Sequence, residues 1–403
     1  MLDVADVRAA RDRVADVVYR TPTDHSRTFS RRTGAEVHLK METFQRTGSF
    51  KIRGATNRIR TLSPAERAAG VVTASAGNHA QGVALAATRS DVDATVVMPE
   101  FAPISKVHAT EGYGARVVLH GADYDEAQER AREIAADEGL TYVHAFDDEA
   151  VMAGQGTLGL ELVEQVPDAD VVVVPVGGGG LISGVATAVK AHDPDVRVVG
   201  VQAEGASSLA DSLRKGEIRK LDSVDTIADG IATRRVGDRP FEVIRERVDD
   251  VVTVADDDTA VALTLLLERA KTLVEGAGAI SLAAVLAGAV DFDEGDVVVP
   301  VLSGGNIDLN LLTTVVMRGL VATGRYVKIR TVLKDRPGAL GEFLDVLSAH
   351  RANIYGIQHD RTSRDIAMNA AEVELDVATR GPDHVEAVLD AVREKGYEVE
   401  RLV

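Results

Sequence analysis

The sequence has 403 residues, 45% of them hydrophobic, enough for two or three domains with cores of their own. It contains no Cys, which excludes disulfides, thiolate metal sites and cysteine nucleophiles. The formal net charge of −18 makes nucleic acid and anionic membranes poor partners, and no uncharged apolar stretch is long enough to span a bilayer.

The start of the chain carries acids and lacks the apolar stretch of a signal peptide, so a cytoplasmic protein is expected. Acids recur at Asp147 to Glu149, Asp249-Asp250, Asp256 to Asp258 and Asp291 to Asp296, while Lys supplies only 10 of the 45 basic residues. One reading is a solvated surface. The other is a halophilic protein, whose self-repulsion is screened by high salt.

The first candidate for chemistry is Lys51, in the stretch TGSFKIRGA from Thr47 to Ala55. Apolar Phe50 and Ile52 flank it, with glycines on both sides. A Schiff-base lysine needs a partly desolvated amine and a close backbone. A surface Lys ahead of a helix reads the same way. Val71 to Thr73 then predicts a short strand, followed by SAGNHAQ from Ser75 to Gln81. Small residues there let backbone amides converge on an anion such as a carboxylate, or simply cap a helix.

Strands are predicted at Ala94 to Met98, Ala115 to Leu119 and Thr141 to His144, with a helix over Tyr124 to Glu138. Asp170 to Val176 is a Val-rich strand that runs into Gly177, Gly178, Gly179 and Gly180, with a helix starting near Leu181. The run lacks the Lys and Ser/Thr of a Walker loop and the spacing of a dinucleotide site. It suits a small phosphate cofactor on a helix start, or a tight turn. Later strands are Val196 to Gln202, Val251 to Val254 and Asp296 to Leu302, the last ending in SGGN from Ser303 to Asn306. Ser303 is placed either to hydrogen-bond a ring nitrogen or to cap a turn. The alternation predicts α/β layers with parallel strands covered on both faces.

The pattern changes at Thr323 to Tyr326. A strand over Tyr326 to Leu333 is followed by a helix over Gly338 to Arg351, with Leu340, Phe343, Leu344 and Leu347 on one face. A strand near Asn353 to His359, a polar turn and a strand near Met368 to Val377 come next. A helix over Asp383 to Lys395, apolar at Val385, Val388, Leu389 and Val392, precedes a last strand. This βαββαβ order is ferredoxin-like.

From about Thr21 to Asp308, the four motifs together closely resemble the fold-type II pyridoxal-phosphate (PLP) enzymes, and within them the threonine dehydratase and serine racemase branch. The resemblance implies two open twisted α/β domains of the tryptophan synthase beta-like kind. These would be a large cofactor-binding domain of residues 1–50 and 151–323 and a small one of residues 51–150. It implies that Lys51 is the Schiff-base lysine and general base, that Phe50 flanks the ring, and that Asn78 bonds the cofactor's 3′-oxygen. Ser75 and His79 lie in the loop that takes the substrate carboxylate. Gly177 to Leu181 hold the phosphate, Ser303 faces the ring nitrogen, Gly230 lies beside the ring, and Glu275 is a cofactor-site acid near it. The implied reaction converts L-threonine to 2-oxobutanoate and ammonia, with L-serine also accepted.

Residues 326–403 resemble an ACT domain, through DRPGAL from Asp335 to Leu340 and Ala352 to Ile354. This implies regulation by an amino acid such as isoleucine, and a homodimer or homotetramer. Racemases of the family carry a Ser where this chain has Ala76, which cannot donate a proton. Their divalent site is matched by Glu204 but not by Ala210, so no metal is expected. Cysteine synthases differ at Phe50, Ile52 and Gly177 to Gly180. An amino-acid sensor with a vestigial enzyme half is the reading from another class.

Overall fold

A computed structural model describes residues 2–362 and 366–403. The chain divides into two compact units, Met1–Asp308 and Leu309–Val403.

The first unit holds ten strands: β1 (Thr23–His25), β2 (Glu36–Met41), β3 (Val71–Ala74), β4 (Ala94–Met98), β5 (Arg116–Leu119), β6 (Thr141–Tyr142), β7 (Val171–Pro175), β8 (Arg197–Ala203), β9 (Asp250–Val254) and β10 (Val297–Leu302). The larger sheet runs β1-β2-β10-β7-β8-β9, parallel except that β1 is antiparallel to β2. The smaller runs β5-β4-β3-β6 and is parallel throughout. Every residue of β7 (VVVVP) and β10 (VVVPVL) is buried, so both faces of these strands require cover. The helices Gly180–His192 and Gly276–Leu286 pack on them, and their small residues permit the close approach. The predicted helix Tyr124–Glu138 buries Ala127, Ala131 and Ile134, one face at i, i+4, i+7. Asp123 caps its start by accepting from the Glu126 amide at 3.0 Å.

The second unit begins with the helix Leu309–Ala322, upstream of the point where the sequence pattern changes. It continues with β11 (Tyr326–Lys334), the helix Ala339–Ala349, β12 (Asn353–Asp360), β13 (Ala370–Ala378), the helix Pro382–Glu394 and β14 (Val399–Arg401). The antiparallel sheet runs β12-β13-β11-β14, the expected ferredoxin-like module, consistent with an ACT-like domain. Val327, Ile329, Phe343, Leu347, Leu375, Val388 and Val392 form its core. Residues 363–365 of the expected polar turn lie outside the described residues. Among the described residues, no helix is long and apolar enough to cross a membrane.

In the first unit, the loops after β3, β7 and β10 leave the carboxyl ends of their strands, where open α/β sheets gather ligands. They carry Ser75 to Asn78, the four glycines and Ser303 to Asn306 respectively.

Candidate active site

Lys51 is the first residue of the helix Lys51–Arg60. The segment before it is tied to the loop after β10: the Phe50 amide donates to Ser303 O at 3.0 Å, and the Gly305 amide to Gly48 O at 2.9 Å. Lys51 is therefore a partly buried group, not a solvated one. Its Nζ donates to Ala145 O at 3.1 Å and lies 5.2 Å from the centre of the Phe50 ring. Burial lowers its pKa to about 8, against the opposing charge of Glu275.

The helix Asn78–Thr88 starts with no side-chain cap, so its first amides are open to an anion. Ser75 Oγ accepts from the Gly77 amide at 3.1 Å. His79 is buried, and its Nε2 lies 3.1 Å from Val143 O, which only accepts. The proton therefore sits on Nε2, and Nδ1 is left buried without a partner. Burial and the Lys51 charge lower the His79 pKa to about 3, so the ring is neutral. Its free nitrogen is an acceptor; backbone amides are the carboxylate donors this loop offers.

Asn78 Nδ2 donates to Glu275 Oε1 at 2.6 Å. Burial, with Asp229 nearby, raises the Glu275 pKa to about 7. Gly230 and Gly304 both border this carboxyl: a Cβ on Gly230 would sit 3.4 Å from Oε1, and one on Gly304 would overlap it. The Glu275 amide in turn donates to Gly304 O at 3.1 Å.

Gly177 to Gly180 turn from β7 into the helix Gly180–His192, with Gly179 left-handed at φ 89°. One side of the bend lies flush on Phe146, whose ring a Cβ on Gly178 would overlap. The helix-start amides there have no intrahelical acceptor. Leu181, in the first turn, is buried. Ser303 is buried and its Oγ donates to Ala277 O at 3.2 Å. The structure thus brings Lys51, Phe50, Asn78, Gly230, Glu275 and Ser303 around one set of loops. The glycine bend joins them through Ala145 and Phe146.

Ala145 and Phe146 carried no sequence signal beyond following a predicted strand. Asn306 stood in a recognised motif without a role. Arg53, two residues past Lys51, was also unassigned. Its guanidinium is fully buried and forks onto Glu42 (Nε–Oε2 and Nη2–Oε1, both 2.7 Å) and onto Glu161. Lys40 Nζ completes the cluster on Glu161 Oε2 at 2.6 Å. Burial opposes the Arg53 charge, but the two carboxylates outweigh it and hold the group protonated. These four charges pin the Lys51 helix to β2 and to the helix Glu149–Gln165.

Residues 14–304 match the family described as Pyridoxal-phosphate dependent enzyme. The chain belongs to that family. A protein named L-threonine ammonia-lyase from Thermotoga maritima is 47% identical over 399 residues, 99% of each chain. Among solved structures, threonine deaminase isoform 2 from Solanum lycopersicum superposes with a TM-score of 0.75 at 40% identity, covering 78% of this chain and 86% of that one. Maize serine racemase superposes at 0.74 and 38% identity, covering 79% and 98%. The expected fold-type II architecture is the one found.

Pyridoxal phosphate is the cofactor of this family, and the loops fit its parts. An aldehyde needs a primary amine held out of bulk water, as Lys51 is. A phosphate needs backbone amides at a helix start, and the four glycines bring such amides with no side chains of their own. A ring nitrogen can bond a hydroxyl, and Ser303 carries one, buried and donating to Ala277 O at 3.2 Å.

Proposed function

We propose that this pyridoxal-phosphate enzyme is a threonine ammonia-lyase, converting L-threonine to 2-oxobutanoate and ammonia and accepting L-serine as well. The observation that carries the reading is the partly buried Lys51 amine, its pKa lowered to about 8, close to the charge of Glu275 and to His79 in the uncapped first turn of the Asn78 helix. The full-length similarity to the Thermotoga maritima L-threonine ammonia-lyase supports threonine as the substrate.

The bound cofactor supplies an electron sink for charge at the substrate's Cα. Lys51, with a pKa lowered to about 8, takes the Cα proton. Amides at the uncapped start of the Asn78 helix would orient the carboxylate, and those of Gly177 to Leu181 would hold the phosphate. Phe50, Asn78, Gly230 and Glu275 border the ring. Ser303 places a neutral hydroxyl, not a carboxylate, at the ring nitrogen. A neutral partner there would leave the bound cofactor a weaker electron sink, which would favour loss of the β-hydroxyl. Similarity to maize serine racemase favours a second reading. Racemisation needs a proton donor on the opposite ring face, and the methyl of Ala76 cannot be one.

The reading extends to the domains: residues 1–50 and 151–323 as the large cofactor domain, 51–150 as the small one, and 326–403 as an ACT regulatory domain. Its ferredoxin-like sheet supports an amino-acid effector such as isoleucine. A cytoplasmic, halophilic homodimer or homotetramer completes the proposal.

The test is keto-acid release from L-threonine and L-serine, each with and without isoleucine, alongside an assay for D-serine. Release from both substrates, modulated by isoleucine and absent in a folded Lys51→Ala variant, is expected. D-serine formation without keto acid would overturn the lyase reading.

A further inference from the structure

The side chains of Asn306 and Asn78 form a chain of hydrogen bonds whose direction is set by one backbone atom. Asn306 Nδ2 lies 2.7 Å from Thr47 O and 2.7 Å from Asn78 Oδ1. A backbone carbonyl only accepts, so the Asn306 atom facing Thr47 is its NH2 group. The same nitrogen faces Asn78, so the Asn78 atom it meets is the oxygen. The NH2 group of Asn78 is thereby turned toward Glu275 Oε1, 2.6 Å away. One of its two hydrogens is used there, and the other is left for a further acceptor.

Turning Asn78 over would set two NH2 groups against each other and an oxygen against a carboxyl. The bond to Asn306 would be lost, and with it the bond to Glu275 wherever that carboxyl is ionised. Asn306 is itself closely seated: Gly48 is left-handed at φ 70°, and a Cβ there would overlap Asn306 Oδ1. The stretch that leads to Lys51 therefore also holds the amide that orients Asn78.

We propose that Asn306 is a positioning residue that fixes Asn78 with its donor toward the cofactor ring. This rests on the reading that Asn78 faces the ring oxygen. Asn306 reaches the ring through Asn78, while its second bond, to Thr47 O, ties it to the stretch before Lys51; the double variant separates the two.

The test uses holoenzyme reconstituted with pyridoxal phosphate. The readouts are the pH midpoint of the bound cofactor's visible absorbance and the cofactor Kd. A donor to the ring oxygen favours its deprotonated form, so losing the donor raises the midpoint. Asn306→Ala and Asn78→Ala are each expected to raise it by about half to one pH unit. The double variant is expected to match Asn78→Ala alone, because the two act in series. Asn306→Asp keeps the side-chain shape but replaces the donor with an acceptor, so it is expected to shift the midpoint at least as far. It carries the test if the alanine variant folds poorly. Additive shifts, or an unmoved midpoint in Asn306→Ala and Asn306→Asp beside a shifted Asn78→Ala, would overturn the relay and leave the site reading intact. An unmoved midpoint in Asn78→Ala would overturn both.

Discussion

The guanidinium of Arg53 and the carboxylate of Glu161 meet through two parallel hydrogen bonds, Nη1–Oε1 at 2.7 Å and Nη2–Oε2 at 2.9 Å. The same guanidinium forks onto Glu42, so its fixed geometry is used on both carboxylates at once. With Lys40, the cluster has two charges of each sign and no excess. Its location matters for function, because Arg53 lies one helical turn or less from Lys51.

Removing Arg53 would leave two buried carboxylates facing one ammonium. Arg53→Met is expected to cost about 3–5 kcal/mol, the usual penalty for breaking a buried pair. Arg53→Lys keeps the charge but cannot fork onto two carboxylates, so an intermediate loss is expected. Urea denaturation measures both. A methionine variant as stable as the parent would show that the charges balance no better than an apolar filling.

Lys51 and Glu275 give the cofactor-free protein a distinctive pH dependence. Glu275 holds its proton to about pH 7 when folded, against 4.5 when unfolded. Between these values the folded state binds more protons, so stability falls as pH rises. Lys51 releases its proton at about 8 when folded, against 10.5 unfolded. Over that higher window the unfolded state binds more protons, and stability rises with pH. Glu275→Gln is therefore expected to gain about 2–3 kcal/mol over the parent above pH 7 and nothing below pH 4.5. Urea midpoints at acid, neutral and alkaline pH decide this; an equal gain at all three would mean the effect is not ionisation.

How much of this was legible in the sequence depended on where the signal was carried. Strands such as β7 and β10 were readable because an unbroken Val run leaves no polar face. The helix Tyr124–Glu138 was readable from its period. β1 and β2 were not picked out: β1 is short and exposed, and β2 carries Lys40, which looks like a surface residue. The charge on Lys40 is met by Glu161, 121 residues away, and its remaining donors by Thr21 O and Gln165 Oε1. Long-range pairing of that kind leaves no local trace. The site motifs were legible where the backbone conformation demanded a residue type, as at the glycine bend. Ala145 and Phe146 act through a carbonyl and a flat ring, which many sequences could supply.

Gly304 tests the packing behind Glu275. A Cβ there would overlap Glu275 Oε1 and approach Ser49 Cβ to 3.1 Å. Both neighbours are buried and the carboxyl is held by Asn78, so neither moves freely. Gly304→Ala is expected to displace Glu275 and weaken cofactor binding by roughly 10- to 100-fold, equivalent to ~1–3 kcal/mol of overpacking. Titrating apoprotein with pyridoxal phosphate measures it. Unchanged affinity would mean that Glu275 has no part in holding the ring.

The acid surplus leads to an expectation about salt. At a net charge of −18, folding brings like charges together, and their repulsion is strongest where counter-ions are few. The exposed ion pairs offset little of this: Arg116–Glu138, Arg245–Glu242 and Arg336–Glu342 each leave both side chains about half exposed. Raising KCl screens the repulsion more than it weakens such pairs, so stability is expected to increase with salt. The buried Arg53 cluster is out of reach of screening and holds at low salt. A gain of about 1–2 kcal/mol would move Tm upward by roughly 1–3 °C between dilute and multimolar KCl. A Tm that stays level or falls across that range would assign the acids to ordinary surface solvation.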